Sequence, residues 1–179
     1  MRRFCTVLGL LAFSIACGGN SSSGEPQVNP DPEAPAVGVA DTWFEVSGDA
    51  NLRVEPATAS LFTGRADIVT LNVVSGREAV QEHGRSYSAN LFFSQSFDPQ
   101  PGVYPIKFSY RGEANTLGGS FIGEGMYSHD TEGEAEFMEF GDTVRVRFRF
   151  TAYSTSAGDA DRKSVTVTGE AVCARGDAL

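Results

Sequence analysis

The chain reads as an all-β protein: an antiparallel β-sandwich of about 7–9 strands, with a closed, lipocalin-like β-barrel as the alternative. Three observations predict this class. From Asp41 onward apolar and polar residues alternate at period two, with Phe, Val, Thr and Tyr enriched. Gly, Asp, Asn and Pro punctuate that alternation roughly every ten residues, at the spacing of short strands joined by turns. No window of ten or more residues carries a helical stripe of apolar positions.

The expected strands are Trp43 to Ser47, Asn51 to Glu55, Asp67 to Val74, Ser86 to Ser94, Val103 to Arg111, Gly133 to Phe140, Thr143 to Tyr153 and Ser164 to Cys173. Gly76 to His83 is polar and reads as a loop. Gly118-Gly119-Ser120-Phe121-Ile122-Gly123 reads as a glycine-rich bend between strands; its glycines lack the spacing of a Gly-x-Ser-x-Gly nucleophile elbow. Gly141-Asp142 is a two-residue turn signal between two alternating runs. A turn there pairs position i with 283 − i, so Glu136 faces Arg147, Glu134 faces Arg149 and Met138 faces Arg145. On the other side Ala135, Phe137 and Glu139 then face Phe148, Val146 and Val144. The three arginines, which would otherwise suggest an anion ladder, read as structural charge pairs across strands, worth about 0.2–1 kcal/mol each. In the last strand Val165, Val167, Gly169, Ala171 and Cys173 share one face, which makes Cys173 an inward, inert thiol. Aromatics at alternating positions, Phe92, Phe108, Tyr110, Phe148 and Phe150 among them, read as core rather than as a ligand cavity or sugar-binding face; Trp43 and Tyr153 are candidates for exposure.

Composition narrows the partners. Of 179 residues, 14 are Lys or Arg and 23 Asp or Glu; loss of residues 1–16 would remove Arg2 and Arg3 and leave 12 basic against 23 acidic residues, a charge of −11. Nucleic acid and anionic headgroups are excluded as partners, because both require a basic stripe. Residues 41–175 are enough for a single β-domain that buries a core without metal or disulfide support. Residues 176–179 form a C-terminal tail, and Arg175-Gly176-Asp177 at its start reads as a chance tripeptide.

Chemistry-bearing clusters are sparse. The two histidines, His83 and His129, stand in no recognisable catalytic setting, there is no phosphate loop or dinucleotide fingerprint, and the expectation is a non-enzyme without cofactor. His129, Asp130 and Glu132, with Glu134 beyond them, are the candidate ligands for a hard cation, since alternate residues of a strand share a face. The bland reading, an acidic loop entering a strand, is preferred, and no metal is expected. Asp159-Ala160-Asp161 lacks the later ligands of a calcium loop, and the sequon Asn20-Ser21-Ser22 has no evident meaning here.

The most informative segment precedes the domain. Arg2 and Arg3, the apolar run Phe4 to Phe13 and Ser14-Ile15-Ala16 have the layout of an export signal cut after Ala16, too short for the roughly 20 apolar residues of a span. Ser14-Ile15-Ala16-Cys17 resembles the lipobox of bacterial lipoproteins: Ala16 and Cys17 match, whereas Ser14 stands where Leu is usual and Ile15 where a small residue is usual. The resemblance implies that the Cys17 thiol carries a diacylglycerol and the freed amine a third acyl chain, inserted in the lipid bilayer. With Gly18 rather than Asp after the cysteine, it implies the outer membrane. Residues 17–40, rich in Gly, Ser and Pro, read as a flexible tether. An unacylated Cys17 would instead be free to pair with Cys173. Across residues 86–173 the strand-and-turn order, Phe92-Phe93, Pro101 to Ile106, Gly133 to Phe137, Phe148 to Ala152 and Val165 to Gly169, resembles small β-domains of uncharacterised Gram-negative lipoproteins. These resemblances imply a membrane-anchored envelope lipoprotein whose β-domain has a structural or binding role toward an envelope protein or glycan; a lipocalin-like carrier of a small apolar ligand is the alternative.

Overall fold

In the computed structural model, residues 41–64, 67–155 and 162–175 are described. The segments read from sequence as export signal, Cys17 and tether, the Asp159-Ala160-Asp161 stretch and residues 176–179 lie outside them.

The period-two alternation is realised as β1 (Trp43–Gly48), β2 (Leu52–Val54), β3 (Ala57–Thr63), β4 (Ile68–Ser75), β5 (Ser88–Ser94), β6 (Gly102–Lys107), β7 (Gly118–Ile122), β8 (Met126–Phe140), β9 (Thr143–Ser154) and β10 (Ser164–Ala174). Among the described residues they form one antiparallel ten-stranded sheet in the order β2-β1-β10-β9-β8-β7-β5-β4-β3, with β6 paired to β8 beside β7. The sheet is nearly closed into a barrel. β3, at one end of the order, packs against β10, and the Ala57 N–H donates to the Thr42 carbonyl at 2.8 Å. Of the sandwich and the barrel that strand spacing leaves open, a single curled sheet is the arrangement observed.

Alternation sets what fills it. Phe44, Phe93, Phe121, Phe137, Phe148 and Phe150 are all at most 2 % exposed and occupy the interior with Val, Leu and Ala from every long strand. Full burial of each such ring contributes roughly 1.5–3 kcal/mol. Cys173 belongs to this inner set, and burial pushes its thiol up to about 11.

Four local expectations are corrected. The polar stretch read as a loop is a short helix, α1 (Arg77–His83), ended by Gly84 at φ 71°, whose N–H bonds back to the Val80 carbonyl. Strong helix formers carry it, and it buries no residue fully, which is why no apolar stripe marks it. The glycine-rich bend is the central strand β7, between β5 and β8. A Cβ at Gly118 would run into the Tyr110 ring, and one at Gly119 would crowd Ile106, Thr131 and Phe150 at 3.1–3.2 Å. Glycine there admits neighbours to the sheet surface rather than breaking the strand. β6 stops at Lys107, and Tyr110–Gly112 form a 3-10 turn instead of continuing the strand to Arg111.

The fourth correction concerns the β8–β9 register. The 283 − i pairing holds from Glu132 to Phe137, then slips by one, so that Glu139 faces Arg145 and Phe140 faces Val144, in place of Met138 with Arg145 and Glu139 with Val144. The extra residue is a bulge at Met138. It turns Phe140 inward, where its ring meets Phe93 and Phe137 at 6.5 and 5.7 Å.

Candidate binding groove

The outer surface of the β4–β5–β7 sheet carries the feature least explained by folding. Ser60, Asn72, Asn90 and Ser120 lie side by side in register across β3, β4, β5 and β7, an uncharged polar row perpendicular to the strands. Asn90 and Ser120 are 5 % and 3 % exposed, and the Asn90 amide donates to Ser120 Oγ at 3.3 Å and to Ser88 Oγ at 3.4 Å. The next row runs Phe62, Thr70, Phe92, Gly118. The segment after β6 folds back across it as a strap: Tyr110 stacks on Phe92 at 6.1 Å and lies over Gly118, and Arg111 sits against the Tyr110 ring at 5.9 Å.

Between strap and sheet is a groove of about 670 Å³, walled by Phe92, Phe108, Tyr110 and Met126 and floored by Thr70 and Ser120. Phe108 is 52 % exposed, held face to face with His129 at 5.2 Å; Met126 and its register partner Ile122 are also exposed. The strap is pinned at its base, where Lys107 Nζ bonds Glu113 at 2.6 Å and Ser109 Oγ donates to the same carboxylate at 2.8 Å. Those contacts, the lysine's first, hold the Glu113 carboxyl below its ordinary value. Several groove hydroxyls remain unspent. Thr70 and Ser128 have no side-chain hydrogen bond among the described residues, and the Ser120 hydroxyl, an acceptor from Asn90, keeps its proton to donate. On the same face Asn72 Oδ1 is buried without a partner among the described residues.

The residues singled out from sequence lie elsewhere or are otherwise engaged. Asp130 is ion-paired with Arg162, whose guanidinium also covers Tyr153 at 5.1 Å, while His129 faces Phe108; no group of three His, Cys, Asp or Glu among the described residues is arranged for a metal. His83 meets Tyr87 edge-on at 5.7 Å, and neither imidazole hydrogen-bonds a carboxylate or hydroxyl among the described residues. Glu136 pairs with Arg147 at 3.8 Å as the register predicts; Glu134 lies opposite Arg149, but the two make no ion pair. A stronger partner lies on a strand that the turn at Gly141-Asp142 does not register. Glu170 of β10, only 8 % exposed, takes Arg145 at 2.6 Å and Arg147 at 3.3 Å. Phe148 and Phe150 are core as expected, whereas Phe92, Phe108 and Tyr110 are corrected from core to groove wall. Trp43 is partly exposed beneath Arg53, 4.6 Å away.

No helix among the described residues is long and apolar enough to cross a membrane. Comparison with protein families, with curated proteins and with solved structures returns no match.

Proposed function

We propose that this chain is a lipoprotein of the bacterial cell envelope, anchored in the outer membrane by acylated Cys17, whose β-domain is a non-catalytic binding module. The anchor rests on Ser14-Ile15-Ala16-Cys17 behind a basic and apolar leader, and residues 17–40 supply the reach from the bilayer. Three acyl chains, at about 0.8 kcal/mol per buried methylene, hold far better than the one chain that binds only marginally. The observation that carries the binding role is the groove beneath the strap, where exposed aromatics surround unspent hydroxyls. Apolar walls with a few polar groups are the usual composition of a ligand site.

The ligand of this reading sits on the barrel and not in it, because six phenylalanines occupy the interior that a lipocalin-like carrier would leave open. Mass spectrometry of the mature N-terminus tests the anchor. A triacylated Cys17 is expected, and an unmodified one overturns it. For the binding role, a small-fragment screen read by protein NMR should give shifts clustered on Phe92, Phe108, Tyr110 and Ser120; shifts scattered evenly over the surface would remove it.

A further inference from the structure

The groove's chemistry is specific enough to name a ligand class, granted the preceding reading that it is a binding site. We propose that it takes a neutral saccharide, with a sugar ring against the faces of Phe108 and Tyr110 and its hydroxyls on the Thr70, Ser120 and Ser128 side chains. Three observations converge on this class. The walls are aromatic and held rigid, Phe108 by His129 at 5.2 Å and Tyr110 by Phe92 at 6.1 Å, so flat apolar faces are on offer at little cost in side-chain entropy. The C–H face of a pyranose complements such a ring.

The floor is polar but uncharged. An aliphatic ligand would cover the hydroxyls of Thr70, Ser120 and Ser128 and leave their protons without acceptors, a cost that disfavours it. Sugar hydroxyls donate and accept at once, which matches the mixed capacity of Ser and Thr and of a Ser120 already oriented by Asn90. The charge at the rim is half spent: Lys107 is neutralised by Glu113, whereas the Arg111 guanidinium, along the Tyr110 ring and bonded to its hydroxyl at 3.3 Å, keeps its charge with no carboxylate partner among the described residues. The chain's net charge of −9 repels an anionic ligand, against the cation of Arg111 at the rim, and the anionic arm of the test weighs the two. A groove of about 670 Å³ open at the surface accommodates two or three sugar rings of a longer glycan.

The test is an NMR titration of the full chain with maltotriose, cellotriose and chitotriose, each to about 10 mM, since single-groove affinities in the millimolar range are expected. Tri-galacturonic acid serves as the anionic arm and 1-anilinonaphthalene-8-sulfonate as the apolar one. At least one neutral trisaccharide should shift Thr70, Ser120, Phe108 and Tyr110 signals. Phe108→Ala and Ser120→Ala should each weaken it about tenfold or more while leaving the remaining spectrum in place. If only the apolar probe shifts those signals, the groove binds but the saccharide class is overturned. Shifts from tri-galacturonic acid alone overturn neutrality. If no probe shifts them, saccharide and groove readings fall together.

Discussion

Two outer faces of one sheet are finished in opposite ways. On β8–β9–β10 the projecting side chains are charged and largely paired with one another: Glu170 clamps Arg145 and Arg147, Glu136 adds to Arg147, and Thr151 and Thr166 share a hydrogen bond at 3.0 Å, while Glu134 and Arg149 face each other without an ion pair. On β4–β5–β7 they are uncharged, crossed by an aromatic strap, and left with hydroxyls unspent, an orphaned Asn72 oxygen and an exposed Phe108. The inner layer beneath both is the same packed apolar core. The contrast separates residues retained for folding from residues the fold does not require, because exposed aromatics and unpaired polar groups cost a monomer rather than stabilise it.

The shared interior sets the upper limit of that contrast. Phe150→Ala should cost about 3–5 kcal/mol, seen as a large fall in the urea midpoint, since a fully buried ring leaves a cavity that β8 and β9 cannot collapse into. On the charged face, Glu170→Gln should cost about 1–2 kcal/mol; the carboxylate is nearly buried, but both arginines are about half exposed and solvent screens the pairs. A double-mutant cycle with Arg145→Gln should show coupling, and simple additivity would mean that the clamp is cosmetic. On the uncharged face, Gly118→Ala should cost about 1 kcal/mol while displacing Tyr110 from Phe92, because a strap on the surface can swing away where a core cannot. Loss of the Tyr110–Phe92 ring contact by NMR, with the core spectrum intact, would confirm it.

A smaller effect follows from acid. Glu113 has a depressed pKa in the folded protein, so its contribution is complete above the ordinary value of 4.5 and disappears as the pH falls through the lower folded value. The Tyr110 signals should therefore hold steady from neutral pH to about 4.5 and shift only below it. Loosening near pH 6 would show that the Lys107–Glu113 pair does not pin the strap.

How much of this contrast is legible in sequence depends on the range of the contacts. The fold class is, since it needs only period-two alternation, and so is the central β8–β9 register, which a two-residue turn fixes locally. The slip at Met138 is not, because it follows from the pull of Phe140 toward Phe93, a residue 47 positions away. Glu170 was invisible as the arginines' partner for the same reason: the β9–β10 connection is too long to fix a register. The groove was hidden by its own alternation. Phe92, Phe108 and Tyr110 occupy strand-like apolar positions and look like core, and only Gly118 of β7, which admits Tyr110 to the sheet surface, hints that an aromatic lies outside. The lipobox resemblance lies in residues 14–17, beyond the described structure, and stands on sequence alone.

The central claim is that the aromatic wall on β4–β5–β7 is kept for a ligand and not for the fold. Urea denaturation of Phe108→Ser in the full chain tests it without any ligand in hand. A loss of at most about 1 kcal/mol is predicted, since the ring is 52 % exposed and its removal uncovers only the face of His129. A loss above about 2 kcal/mol, in the range of core substitutions, would make Phe108 a structural clamp and contradict the account.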